Sequence, residues 1–315
     1  MYLNIFADSA TPLDMTGTDE FASLLASAAD LAIPHAPTVR YTSANIVLRQ
    51  HRFHVLEWGE TNAPAILLLH GGHQSAHSWD LVSLSLARRF RVLALDQRGH
   101  GDSEWARDAT YANHEMALDA AAFIEAAGLR EPVVVGHSMG GRNAMLLARE
   151  DPRRMRALVI VDVGPELSDA GREAIAGFVR ANQEFDDLEQ FVENVRRYDP
   201  YRTRAHIERT VKYNMLRRAD GRFISKCDAT PRRLGLLRGT DPRDQLSLAD
   251  MRALDLPVLI VRGERSNVLD AEAALRFRDA LPLGRLVTVP NAGHGVPSQN
   301  TAGFLSALES FLDAL

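Results

Sequence analysis

Short apolar runs alternate along the chain with longer stretches in which apolar residues recur at helical spacing. The later runs, such as AILLL at 65–69 and ALVIV at 157–161, are almost continuously apolar, which is typical of strands covered on both faces of a parallel sheet. Strand-like runs lie near 45–49, 53–58, 65–70, 91–95, 132–136, 157–162, 257–262 and 286–290. Helical patterns lie between them at 112–128, 139–150, 268–281 and 300–314. The alternation predicts an α/β fold with a mostly parallel eight-stranded sheet flanked by helices.

One long interval interrupts this alternation. Residues 163–250 carry no strand pattern, and we expect them to form a helical cap inserted after the sixth strand. Helical patterns in the interval lie near 168–182, 186–197 and 203–217. We therefore divide the chain into an N-terminal extension (1–40, with a helical pattern at 18–31), a core (41–162 and 251–315) and the cap (163–250).

Composition narrows the function classes. The chain has 315 residues, 46% of them hydrophobic, and a net charge of −5, which fits a soluble protein and argues against nucleic acid as a partner. Its one cysteine, Cys227, excludes an intrachain disulfide and suits a reducing compartment. The first residues lack the pattern of a targeting signal, and no apolar run approaches the roughly 18 residues that span a bilayer. We expect a cytoplasmic protein without membrane association.

A serine between two glycines follows the fifth strand-like run, in the sequence VVVGHSMGG at 133–141. Ser138 lies between Gly136 and Gly140, with a strand pattern before it and a helical pattern after it. Such a strand–turn–helix pushes its tip residue toward positive φ and exposes the side chain above the sheet, and the following helix supplies free amides. This context predicts Ser138 as a nucleophile.

A serine nucleophile needs a base and donors for the oxyanion. His294, in the loop NAGHGVP after the last strand, is the expected base, since the carboxyl ends of the strands form one edge of the sheet. The turn HGG at 70–72 follows the third strand. We expect the backbone amides of Gly72 and Met139 to form the oxyanion hole.

Four segments together resemble the α/β-hydrolase superfamily: LLLHGGHQSAHSWD, ALDQRGHGDS, VVVGHSMGGRNA and NAGHGVP. The resemblance runs from about residue 52 to the C-terminus and is loosest in the cap. It implies a serine-nucleophile enzyme of the esterase or lactonase branch, because haloalkane dehalogenases and epoxide hydrolases carry an aspartate where this chain has Ser138. Asp96, Arg98 and Gly99 are expected to shape a structural loop.

The chain departs from the superfamily pattern at the acid of the triad. The resemblance implies an aspartate soon after the seventh strand, but there the segment VRGERSNVLD offers Ser266 or Asn267. Some relatives carry the acid after the sixth strand, where this chain has Asp162. We expect Asp162 to be the acid, with Glu264 and Asp270 as reserve candidates.

The second half of the cap is basic. Between Arg196 and Arg243 it holds 14 Lys and Arg against 5 Asp and Glu. These side chains either coat solvated faces and pair with acids of the core or of a second subunit, or one or two of them enter the site and hold a substrate carboxylate. His73, His77 and Trp79 are expected near the mouth of the pocket, outside the catalytic set.

These observations predict a serine hydrolase that cleaves a small carboxylic ester or lactone through an acyl-enzyme, with Ser138, His294 and Asp162 as its triad. One alternative is a carbon–carbon bond hydrolase of vinylogous diketone acids, and another is a small-molecule sensor on a hydrolase scaffold. No cofactor motif and no metal-ligand spacing is found, since His51 and His54 stand alone on their strand. A homodimer is left open.

Overall fold

The computed structural model describes residues 20–166, 184–229 and 241–315, together with positions 171, 173, 176 and 177. Strands β1–β11 of this part are Tyr41–Leu48, His51–Trp58, Ala65–Leu69, Arg91–Leu95, Val133–His137, Ala157–Val161, Glu184–Phe185, Met215–Arg217, Phe223–Ser225, Val258–Gly263 and Gly284–Val289. Helices α1–α10 are Glu20–Asp30, Asp80–Leu86, Asn113–Ala126, Met139–Glu150, Leu188–Tyr198, Arg204–Asn214, Leu248–Arg252, Ala271–Ala280, Val296–Gln299 and Thr301–Leu312. None of the helices described is long and apolar enough to cross a lipid bilayer.

The main sheet has eight strands in the order β1-β2-β4-β3-β5-β6-β10-β11. Six neighbouring strands of this sheet run parallel to one another: β4, β3, β5, β6, β10 and β11. The strands β1 and β2 form an antiparallel hairpin at the edge next to β4. Arg49 and Gln50 both have positive φ, which is the backbone of a tight two-residue hairpin turn. The predicted eight-stranded, mostly parallel sheet flanked by helices is therefore confirmed.

Both faces of the sheet are covered. Alternate residues of β3 belong to different hydrophobic clusters: Leu67 packs with α3, α4 and α8, whereas Leu68 packs with α1, α2 and α10. This two-sided burial explains why the central strands are continuously apolar in sequence. Of the N-terminal 40 residues, the described part packs on the second face, where Leu24, Ala28 and Ile33 are buried.

The parallel order brings the carboxyl ends of β3, β5, β6 and β11 to one edge of the sheet. The loops that follow these strands contain Gly72, Ser138, Asp162 and His294, respectively. Ligands of open α/β sheets bind at this edge, so the topology alone assembles the candidate site.

The segment between β6 and β10 forms the cap. The predicted helix at 186–197 is present as α5. The predicted helix at 203–217 is present as α6 up to Asn214, and residues 215–217 form β8 instead. The expectation that this segment holds no strand is wrong, because β7, β9 and β8 form a small antiparallel sheet. These strands have two or three residues each, too few for an alternating pattern to be recognised in the sequence. The predicted helix at 168–182 lies largely outside the described residues.

Candidate active site

Ser138 lies at a sharp turn between β5 and α4. Its backbone has φ 52° and ψ −114°, a conformation that a non-glycine residue adopts only when its surroundings hold it there. The flanking glycines are required by close backbone contacts: a Cβ at Gly136 would lie 2.4 Å from the carbonyl oxygen of Gly140. A Cβ at Gly140 would lie 2.2 Å from the carbonyl oxygen of Leu69. The strained turn thus holds the hydroxyl of Ser138 at the edge of the sheet.

His294 connects Ser138 to a buried carboxylate. Its Nε2 lies 2.9 Å from Oγ of Ser138, and its Nδ1 lies 2.8 Å from Oδ2 of Asp162. Since a carboxylate only accepts hydrogen bonds, Nδ1 carries the proton and Nε2 presents a lone pair to the serine hydroxyl. In this tautomer the imidazole can remove the proton from Ser138.

Asp162 is completely buried and accepts hydrogen bonds from three donors. Besides the imidazole, the backbone N–H of Gly263 lies 3.0 Å from Oδ1, and the hydroxyl of Ser266 lies 2.5 Å from Oδ2. The reserve candidates have other contacts. Glu264 is exposed and accepts from the backbone N–H of Asn291, and Asp270 caps α8 by accepting from the N–H of Ala273. The carboxylate that contacts His294 is therefore that of Asp162.

The two expected oxyanion donors, Gly72 and Met139, both line the cavity above Ser138. Met139 is the first residue of α4, so its N–H has no acceptor within the helix. Gly72 is exposed to the cavity, where a Cβ would meet only Sδ of Met139, at 4.0 Å. Both residues thus lie at the wall of the cavity that Ser138 also lines.

The cavity has a volume of about 250 Å³ and lies between the core and the cap. The core side contributes the Ser138–His294 pair, together with the predicted mouth residues His73 and Trp79. On the cap side, four apolar side chains line it beside six polar ones among the described residues. The apolar ones are Phe191, Val195, Ile207 and Met215. His77 turns away, since its Nδ1 lies 3.0 Å from Asp80 and its ring stacks on Tyr213.

Comparison with known proteins decides the family. The sequence profile of the alpha/beta hydrolase fold matches residues 64–301. The chain belongs to the alpha/beta hydrolase family.

Its relatives in this family include several hydrolases. Esterase Rv0045c of Mycobacterium tuberculosis is 30% identical over 95% of this chain and 98% of its own length. A solved structure of that esterase, described as a study of transition metal inhibition and structural refinement, has a TM-score of 0.77 over 95% of this chain and 100% of its own. The 2-(acetamidomethylene)succinate hydrolase of Mesorhizobium japonicum is 28% identical over 91% of this chain and 99% of its own. These likenesses support a hydrolase.

His137, the residue before Ser138, is a member of the hydrolase site that sequence reasoning did not select. It is buried, and its Nε2 donates a hydrogen bond to the backbone oxygen of His294, 2.8 Å away. Burial and the neighbouring His294 imidazole lower the pKa of His137 to about 3, so the ring is neutral. It fixes the loop that carries the base. A Cβ at Gly71 would lie only 2.8 Å from its Nδ1, which accounts for the glycine there.

The described basic residues of the cap occupy several settings, one of which is the buried ion pair of Arg209 with Asp80 of α2. Most of those described pair with acids at the surface, as Arg204 does with Glu189 and Glu208. Among the described Lys and Arg residues of this hydrolase, Arg202 alone lines the cavity, and its Nε lies 2.6 Å from the carboxylate of Asp199. The positive charge next to the cavity is thus already paired within the protein.

Asp96 organises the loop after β4, as the sequence predicted for a structural position. It accepts hydrogen bonds from Nδ1 of His54 and from the backbone N–H groups of Ala76 and Asp102. Although burial opposes ionisation, these donors and the nearby imidazoles hold the pKa of Asp96 well below its usual range. His54, Asp96 and Asp102 lie close enough to hold a cation, but Asp102 already pairs with Lys226 at 2.5 Å. We assign this group to scaffolding.

Proposed function

We propose that the chain is a serine hydrolase that cleaves a small carboxylic ester or lactone through an acyl-enzyme. The observation that carries the proposal is the continuous chain of hydrogen bonds from Ser138 through His294 to Asp162, with 2.9 Å and 2.8 Å between the paired atoms. In this arrangement a neutral imidazole faces the hydroxyl and a carboxylate stabilises the imidazolium that forms.

In the first half-reaction Oγ of Ser138 attacks the carbonyl carbon while Nε2 of His294 takes its proton. The carbonyl oxygen becomes an oxyanion and is stabilised by the amides of Gly72 and Met139. The bond to the leaving alcohol then breaks, and His294 returns the proton to that alcohol. In the second half-reaction His294 activates water, which attacks the acyl-enzyme and releases the acid and Ser138.

Two observations favour an ester or lactone as substrate. Four apolar side chains of the cap line the cavity and could hold an uncharged acyl chain, and the cavity volume of about 250 Å³ favours a short one. The relative of 30% identity over nearly the whole chain is named an esterase.

A second candidate is a hydrolase of small substrates that bear a carboxylate, which includes the carbon–carbon bond hydrolases. Its support is Arg202 at the cavity wall and the relative named for a succinate derivative. Asp199 neutralises that guanidinium, so we rank this candidate second. The sensor alternative was based on the absence of an acid in the loop after β10. The contact of Asp162 with His294 removes that reason, because it offers an acid from the end of β6.

The test uses the purified chain and p-nitrophenyl esters of increasing acyl length, with Ser138→Ala as the variant. We expect turnover of the shorter esters, an initial burst of one nitrophenolate per chain when deacylation is slow, and loss of both in Ser138→Ala. A fluorophosphonate should label Ser138. If Ser138→Ala hydrolyses the esters as fast as the unaltered chain, the proposal is wrong. Turnover of a vinylogous diketone acid without ester turnover would favour the second candidate.

A further inference from the structure

One face of α6 presents polar side chains to the cavity. His206, Thr210 and Asn214 all line it and follow one another at intervals of four residues, which places them on one side of the helix. We refer to these three side chains as the α6 row. At a rise of about 1.5 Å per residue, neighbouring members lie about 6 Å apart along the helix axis. None of them takes part in the proposed hydrolytic mechanism.

The imidazole of His206 lacks a hydrogen-bond partner in the part of the chain that the structure describes. The residue is only 6% exposed, and neither ring nitrogen contacts a donor or acceptor of the described residues. Burial, together with the charges of Arg202 and Arg209, lowers the pKa of His206 to about 3, so the ring is neutral. A neutral imidazole carries one donor and one acceptor nitrogen. Buried polar groups usually have partners, and here a molecule in the cavity can supply them.

The other two members of the α6 row also keep capacity for hydrogen bonds. The hydroxyl of Thr210 donates to the backbone oxygen of Ile207 at 3.0 Å, which leaves lone pairs on the hydroxyl oxygen as acceptors. The amide oxygen of Asn214 is buried and contacts no donor in the described structure. Since no described hydrogen bond fixes this amide, rotation about its last bond can turn either its oxygen or its NH₂ group to the cavity.

Contacts on the neighbouring face of α6 hold the α6 row in place. Nη1 of Arg209 lies 2.8 Å from Oδ2 of Asp80 in the core, and both side chains are buried. The ring of Tyr213 stacks on His77 of the core, with 3.6 Å between the ring centroids. These two contacts fix the rotation of α6 about its axis. The α6 row therefore keeps its face toward the cavity that Ser138 also lines.

We propose that the α6 row is a subsite for an uncharged polar group of the substrate, such as a hydroxyl or a carbonyl, away from the bond that is cleaved. A hydroxyl both donates and accepts, which matches a neutral imidazole beside a threonine oxygen. The three side chains carry no charge, and the nearby guanidinium of Arg202 is paired with Asp199, so a carboxylate is the poorer match. The apolar remainder of the substrate lies against Phe191 and Val195 of α5. This proposal rests on the proposed function, because it names the substrate class of the same site.

The experiment compares esters that differ by a hydroxyl in place of a methyl group. p-Nitrophenyl 3-hydroxybutyrate and p-nitrophenyl 3-methylbutyrate test the acyl half, whereas 2-hydroxyethyl butyrate and propyl butyrate, followed in a pH-stat, test the alcohol half. The measured quantity is the ratio of kcat/KM for the hydroxyl ester to that for its methyl partner, in the full-length chain. We expect this ratio to fall about three- to tenfold in one or more of His206→Leu, Thr210→Val and Asn214→Leu, the loss of one neutral hydrogen bond.

Two controls separate hydrogen bonding from a change in packing. His206→Gln keeps a donor and an acceptor, so it should retain more of the ratio than His206→Leu. Glu208→Gln, on the exposed side of α6, should leave the ratio unchanged. Circular dichroism shows whether each variant folds. If His206→Leu does not fold, Asn214→Leu at a half-buried position still decides the question.

A change of less than about threefold in all three variants, for both pairs of esters, would overturn the subsite and mean that the α6 row only holds water. The Ser138→Ala background separates this result from a failure of the proposed hydrolysis. In that background NMR titrations measure the Kd of the same four esters without turnover. The ratio of affinities should fall in the same variants, whether or not the unaltered chain cleaves these esters. Affinity ratios that stay the same in all three variants would likewise exclude the subsite.

Discussion

The hydroxyl of Ser266 donates a hydrogen bond to Oδ2 of Asp162, the same oxygen that accepts from His294. Ser266 lies after β10, in the stretch where the family resemblance implies the acid. The chain thus has a donor where a carboxylate was expected, and its carboxylate comes from the end of β6. A carboxylate at position 266 would face the carboxylate of Asp162, and two carboxyl groups at such a distance cannot both be ionised.

Asp162→Asn should lower kcat by roughly 10³ to 10⁴-fold with little change in KM. An amide can still contact the imidazole, but it favours the wrong tautomer and cannot stabilise the imidazolium by charge. Steady-state kinetics with a p-nitrophenyl ester measure the effect. A kcat within a few-fold of the unaltered chain would exclude Asp162 as the triad acid.

The matched controls are substitutions in the loop after β10. Asn267→Asp adds a carboxylate at an exposed position and should not restore activity to Asp162→Asn. Asp270→Asn should leave kcat within a few-fold, because that side chain caps α8. Restoration of activity by Asn267→Asp would transfer the acid to this loop.

Alanine at the neighbouring glycines 71 and 72 should have different effects on stability. A Cβ at 71 meets Nδ1 of His137 at 2.8 Å, and that ring cannot shift freely because it is bonded to the backbone of His294. We expect Gly71→Ala to lower the free energy of unfolding by about 1–3 kcal/mol. Gly72→Ala, with only a 4.0 Å contact, should change it by less than about 0.5 kcal/mol. Urea unfolding of both variants checks this; equal losses would contradict the assigned contact.

His206 should make the fold less stable in acid. Burial, reinforced by the charges of Arg202 and Arg209, lowers its pKa to about 3, whereas an unfolded histidine has a pKa of about 6.5. Between these values the unfolded chain binds a proton that the folded chain does not, so the free energy of unfolding falls as pH falls below about 6.5. The slope is about 1.4 kcal/mol per pH unit for this group.

His206→Gln should therefore lose less stability than the unaltered chain on going from pH 7 to pH 5, by about 2 kcal/mol. Urea titrations at the two pH values measure the difference. The buried His70 and His137, with pKa values lowered by burial to about 4 and about 3, keep some acid sensitivity in the variant. Identical pH dependence of the two chains would show that His206 is not held neutral.

Arg202→Ala separates the two substrate classes. If the guanidinium serves mainly as the partner of Asp199, the variant should hydrolyse neutral esters with KM within a few-fold of the unaltered chain. If it holds a substrate carboxylate, KM should rise about 10- to 100-fold for carboxylate-bearing esters alone, the loss of one charge-assisted hydrogen bond. Equal KM for both classes would end the case for an anionic substrate. Arg204→Ala, at the exposed surface of the cap, is the matched control.

Local chemistry made most of the fold predictable. Strands buried on both faces must be apolar throughout, so β3, β5, β6 and β10 could be located within one or two residues. Ser138 and His294 were recognisable for a similar reason, since each lies beside glycines in a loop that directly follows a strand, where the backbone can present a side chain at the sheet edge. The structure brings these two side chains into contact.

The sequence by itself determined the sheet, the edge at which its loops meet, and the candidate nucleophile and base, because each depends on a pattern within about ten residues. Only the tertiary structure decided which carboxylate reaches His294. Asp162, Glu264 and Asp270 all carry a carboxylate, and they differ in the contacts that the fold gives their side chains. The same holds for His137 behind the base and for the short strands of the cap.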